Sequence, residues 1–155
     1  MLQPCATRLK MMERCFMQEH EKWLKIAKDD LLAAKGLIKL ELYSASVYHS
    51  QQSAEKSLKS YLVFKNYPVV KTHDLIKLLE MCMSFDHEFR NKFEAADYIN
   101  PFSSKFRYPT EFDIPELSNA DLAVRHAENI IRFVLKKVAA PETGQTDIFI
   151  MSEKK

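Results

Sequence analysis

Residues 44–75 read SASVYHSQQSAEKSLKSYLVFKNYPVVKTHDL, and this stretch decides the fold. Val47, Gln51, Ala54, Leu58, Tyr61 and Leu62 recur at three- and four-residue spacings, so on a helix they share one face. Glu55, Lys56, Lys59 and Lys65 mostly fall off that face. Pro68 cannot continue a helix and pushes Tyr67 toward an extended conformation. Thr72 is then placed to cap a following helix, with His73 and Asp74 in its first turn, where an acid suits the helix dipole. The stretch is a long amphipathic helix, a short proline loop and the start of a second helix.

Working outward, Trp23, Ala27, Leu31, Ala34 and Ile38 form a helical stripe that predicts a helix over 21–42. Its connection to the helix of 44–66 is so short that the two must be antiparallel neighbours. Residues 72–83 carry Leu75, Ile76, Leu78, Leu79 and Met81, a helix too short to stand alone. Asp86 is placed to cap a helix over 86–99, with Phe89, Phe93 and Ala96 on one side. Residues 100–117 hold three prolines and make the longest irregular segment; loops of that length are often functional. Ser118 with Asp121 resembles a capping box before a last helix to about 138, whose apolar register is Ala123, Ala127, Ile130, Val134 and Val138. No strand pattern or internal repeat is present. The expected fold is all-α, an up-and-down antiparallel bundle of four to five helices. The expected organisation is an N-terminal extension over 1–20, a bundle over 21–138 and a tail over 139–155.

The bulk numbers agree. One domain is expected from 155 residues, long enough to bury a core without disulfides or metal. Only two glycines disfavour hairpin-rich sheets and glycine-rich phosphate loops. A net charge of +2 gives no global drive toward nucleic acid or acidic membrane, so any anion-binding surface must be local. Cys5, Cys15 and Cys82 are scattered and form no Cys-x-x-Cys pair, which argues for reduced thiols in a cytoplasm. No apolar run reaches the roughly 20 residues of a membrane helix, and no signal-peptide core is present. The expectation is a cytoplasmic protein with no membrane contact.

His20, His49, His73, His87 and His126 have no metal-ligand spacing, so no metal and no cofactor are expected. His49 and His73 have two readings: capping or loop packing, or the border of a polar pocket with Lys56 or Lys59. Lys56, Lys59, Lys65 and Lys71, with Arg107 across the long loop, could form a local positive surface, and Tyr61, Tyr67 and Tyr108 could stack on a base. The plainer reading is a solvated helix face with core aromatics. Glu55 and Lys56 could equally pair with neighbouring helices. Asp29 and Asp30 read as cap and surface charge. No serine nucleophile, catalytic carboxylate pair or phosphate loop has a supporting motif.

The run Gln51-Gln52-Ser53-Ala54-Glu55-Lys56-Ser57-Leu58-Lys59 followed by Thr72-His73-Asp74-Leu75 resembles HEPN domains (higher eukaryote and prokaryote nucleotide-binding). Ala27-Lys28-Asp29-Asp30-Leu31 upstream and Arg107-Tyr108-Pro109 downstream resemble the same family, and the likeness spans about 21–138. The resemblance implies a protein that binds a nucleotide or RNA, pairs as a homodimer, and works beside a separate nucleotidyltransferase chain in a toxin–antitoxin or stress-type module. Lys59, His73, Arg107 and Tyr108 lie in the matching stretches and are the candidate ligand-binding residues.

Many HEPN proteins are ribonucleases whose signature is Arg, four to six residues, then His on a late helix. That pair can move a proton from a 2′-hydroxyl and stabilise phosphate charge. Here the spacing occurs only in Arg14–His20, in the N-terminal extension, a match that chance readily supplies. On the late helix Arg125 is followed directly by His126, and no His follows Arg132. The expectation therefore leans to a non-catalytic protein with no catalytic residues. A metal-independent HEPN ribonuclease toxin is the alternative, and a structural protein-interaction bundle the second alternative.

Overall fold

The computed structural model describes residues 17–106 and 114–139. Five α-helices follow in order: α1 (Glu19–Lys39), α2 (Tyr43–Phe64), α3 (Leu75–Met83), α4 (Phe93–Ile99) and α5 (Leu117–Ala139). Two 3-10 segments, His87–Lys92 and Asn100–Ser103, flank α4, and the described residues contain no strand. The all-α bundle read from the periodicity is the observed architecture, and α1 and α2 start within two residues of where their stripes place them.

Two Schellman closures set the turns around α2. After α1, Leu42 N–H donates to the Leu37 carbonyl and Glu41 N–H to Ile38, both at 3.0 Å, with Glu41 at φ 59°. After α2, Tyr67 N–H donates to Leu62 and Asn66 N–H to Val63, both at 2.9 Å, with Asn66 at φ 58°. Glycine usually takes this left-handed position because it has no Cβ; asparagine tolerates it, and glutamate is strained there.

The seam between α1 and α2 is built from small residues. Ala27 and Ala34 of α1 face Ser46, Ser50, Ser53, Ser57 and Ser60 of α2, all buried. Ser46 Oγ donates to the Ala34 carbonyl at 2.9 Å and Ser60 Oγ to the His20 carbonyl at 2.8 Å, pinning the helices at both ends. Ser50 and Ser57 return their hydroxyls to carbonyls four residues back, so their burial leaves no polar group unmet. Ser53 Oγ alone has no partner among the described residues.

The predicted face of α2, Val47, Gln51, Ala54, Leu58, Tyr61 and Leu62, is buried throughout. Phe89 is wholly buried, with ring centroids 4.4 Å from Tyr61 and 4.9 Å from Phe133 of α5. On α5 Ala123, Ala127, Ile130 and Val134 are buried in the predicted register.

Four local expectations are corrected. The cap of α3 is Asp74 rather than Thr72: Asp74 Oδ1 accepts from Ile76 N–H at 3.0 Å, while Thr72 Oγ1 accepts from Asp74 N–H. Asn100 explains the shift, because its Oδ1 accepts from Leu75 N–H at 2.8 Å and holds the chain extended up to that point. Residues 86–99 are not one helix. Asp86 does cap, but a 3-10 segment, and the tighter winding turns Phe93 outward to 50% exposure while Phe89 goes in. The start of α5 is Leu117, closed by Glu116 N–H donating to Asn119 Oδ1 at 2.9 Å, so Ser118 lies inside the helix. Glu55 and Lys59 are 3% and 6% exposed and belong to the interior.

Asp74→Ala is expected to cost about 1 kcal/mol, the usual value of an N-cap carboxylate. Urea unfolding checks it; Thr72→Ala should cost less than half as much.

Candidate functional site

Two polar clusters sit on adjoining sectors of α2, each with a buried carboxylate at its centre. In the first, Asp30 of α1 is 8% exposed. Its Oδ1 lies 2.9 Å from His49 Nδ1 and its Oδ2 accepts from Lys56 Nζ. His49 and Lys56 are seven residues apart on α2, two helical turns, so both meet the one aspartate. Asp30 is therefore no surface charge. It falls three residues after Ala27 and four before Ala34, on the buried stripe of α1, and only the cations of α2 let it stay there.

In the second cluster Glu55 Oε1 accepts from Lys59 Nζ at 2.8 Å. Both Glu55 oxygens lie 3.1 Å from His73 Nδ1. Gln51 and Gln52 each donate to Glu55 Oε2 at 3.3 Å, and Gln51 also donates to the His73 carbonyl at 3.0 Å. Lys59 Nζ lies 5.8 Å from the Trp23 ring centroid. The lysine is committed inside this network: its side chain is 8% exposed, whereas that of His73 is 75% exposed. A proton on Nδ1 satisfies Glu55 and leaves Nε2 of His73 turned to solvent, as an acceptor when the ring is neutral and a donor when it is charged.

Of the four candidate residues, the structure brings Lys59 and His73 together on Glu55; Arg107 and Tyr108 lie outside the described residues. Arg14 lies outside them too. His20 packs its ring against Phe64 at 5.1 Å, beside a cleft of about 690 Å³ lined also by Gln18, Val63, Tyr67 and Val69. His126 packs on Tyr98, also at 5.1 Å, and its burial lowers its pKa. Cys82 is buried, which pushes its thiol well above the ordinary range. No three His, Cys, Asp or Glu among the described residues are grouped to hold a metal, and no described helix is long and apolar enough to cross a membrane.

Sequence reasoning missed Asp30 and Glu55 as the centres of both clusters. Asp30 reads as cap or surface charge although its spacing to Ala27 and Ala34 puts it on the buried stripe, and Glu55 reads as a partner of a neighbouring helix but not as the centre of a network.

An antiparallel helical bundle with a polar network on its second helix and a histidine at the mouth of its third defines a class of protein. The chain belongs to the HEPN domain family, whose sequence model matches residues 20–138. It is 49% identical over 129 residues to a protein of Methanocaldococcus jannaschii named "Putative toxin MJ1304", an alignment spanning 72% of this chain and 83% of that one. Among solved structures it is similar to TT1696 from Thermus thermophilus, with a TM-score of 0.67, 25% identity, and coverage of 78% of this chain and 99% of the other. It also shares the fold of ST0689, an archaeal HEPN homologue, with a TM-score of 0.64, 23% identity, and coverage of 79% and 99%.

Proposed function

We propose that this chain is a toxin-type HEPN protein that binds a nucleotide or RNA without cleaving it, with His73 as the ligand-facing group. The observation that carries this is the exposed His73 ring, oriented by a buried carboxylate that Lys59, Gln51 and Gln52 hold in place. Such a ring can meet a phosphate as a donor or a base edge as either partner. Lys59 acts through Glu55 and is a positioning residue. Arg107 and Tyr108 are proposed to complete the site from the long loop. The toxin reading follows the name of the Methanocaldococcus relative. The separate nucleotidyltransferase partner and the homodimer follow from the family resemblance, the cytoplasmic location from the scattered cysteines, and the division into an extension over 1–20, the HEPN bundle over 21–138 and a tail over 139–155 from the helical stripes and the span of the resemblance.

Calorimetric titration with ATP and with a short single-stranded RNA tests the site. His73→Ala is expected to weaken binding about tenfold, the worth of one charge-assisted hydrogen bond. Unchanged affinity in that variant would overturn the assignment. Incubation with RNA in EDTA separates binding from cleavage. Intact RNA is expected; fragments that disappear in His73→Ala would replace this reading by the ribonuclease one.

A further inference from the structure

The face of α5 turned away from the core carries a second feature, distant in sequence from the Glu55 network. Arg125, Glu128, Asn129, Arg132 and Lys136 recur at three- and four-residue spacings and so line one side of the helix. With Lys92, from the end of the 3-10 segment His87–Lys92, and the edge of Phe133 they enclose a groove of about 380 Å³. Four cations line it against a single carboxylate. That carboxylate is already committed: Glu128 Oε1 accepts from Arg132 at 2.7 Å and from Lys35 of α1 at 3.1 Å. Lys92 Nζ donates to Asn129 Oδ1 at 2.6 Å, a neutral partner. Neither Arg125 nor Lys136 has an ion pair among the described residues. Burial and the nearby Lys136 charge both lower the Lys92 pKa, so these positive charges are close enough to repel one another.

We infer that this groove is a binding site for the phosphodiester backbone of single-stranded RNA, read without regard to base sequence. Like charges gathered at one place on a chain of net charge +2 cost stability, and a polyanion offsets that cost. From Arg125 to Lys136 the helix rises about 16 Å, which suits a run of phosphates better than a single one. The ring of Phe133 is no stacking platform, since Phe89 meets it edge-on at 4.9 Å and the ammonium groups of Lys92 and Lys137 lie 4.8 and 5.1 Å from its centroid. Nor does that ring offer the bare apolar anchor on which protein partners usually depend. The inference rests on the RNA arm of the proposed function and places the strand's backbone on α5, away from His73.

The test is fluorescence anisotropy of a labelled 12-nucleotide oligouridylate, titrated with the protein at several KCl concentrations. The log of the binding constant falls with log salt by about 0.7 per phosphate neutralised on a single strand. Arg125→Gln with Lys136→Gln is therefore expected to reduce the slope by about 1.4 and to weaken binding at least tenfold at low salt. Both side chains are exposed and have no ion pair among the described residues, so the unfolding midpoint should hold or rise, which serves as the folding control. His73→Ala should change the slope by no more than about 0.7, the share of a single phosphate. A double variant with wild-type slope and affinity overturns the groove while leaving the His73 reading intact. Wild-type protein that binds no oligouridylate at all overturns the groove and the RNA arm of the proposed function, and leaves the nucleotide arm to the ATP titration. Binding to poly-glutamate as tight as to the oligouridylate would mark the groove as a protein-docking surface and overturn the RNA assignment.

Discussion

Glu55→Ala should be among the most damaging single substitutions in this protein, with an expected loss of about 3–5 kcal/mol of unfolding free energy. The side chains of Glu55 and Lys59 are 4% and 8% exposed, so removing the acid strands a buried ammonium beside Trp23 with no counter-charge. It also frees the hydrogen-bonding capacity of Gln51, Gln52 and His73 at once. For a domain of this length the loss corresponds to a fall in Tm of roughly 6–20 °C. Lys59→Met should be milder, because the glutamines and His73 still face the carboxylate. The double variant Glu55→Ala with Lys59→Met should lose less than the two single losses combined, since no uncompensated charge remains. Thermal unfolding of the four proteins completes the cycle. A single-variant loss under about 1 kcal/mol would place this pair with exposed ion pairs and deny it any role in holding the bundle.

Phe89→Ala is the second, with an expected cost of about 3–5 kcal/mol from a different cause. The ring is wholly buried between Tyr61 and Phe133, so it joins α2, the 3-10 segment and α5 in one stack. Truncation removes apolar surface from the interior and leaves a void that three separate elements must collapse to fill. Urea unfolding should show a lower midpoint with an unchanged m-value. Phe93→Ala, four residues on and half exposed, should stay within about 0.5 kcal/mol, as surface substitutions do. Equal losses for the two would mean that the 3-10 winding of His87–Lys92 does not set which ring is buried.

The contrast between Phe89 and Phe93 shows where sequence reading stops. A helical wheel puts both on one side of a single helix over 86–99. The observed 3-10 segment turns more sharply per residue, and four positions of that winding carry the second ring out to solvent. The cap of α3 follows the same logic. Thr72 and Asp74 are both good capping residues, and the choice between them is made by Asn100, 26 positions after Asp74. Lys59 and His73 could be named from the stretch that carries them. Their common tie to Glu55 could not, because it depends on how the 65–74 loop folds back over α2.

By itself, the sequence determined that this protein is an antiparallel helical bundle, because the 3.6-residue period of its apolar stripes is a local property that any helix must bury. Tertiary structure alone decided which charges lie inside. A carboxylate such as Asp30 enters the interior only when cations from another helix arrive at the same point, and no spacing along its own helix can report that meeting.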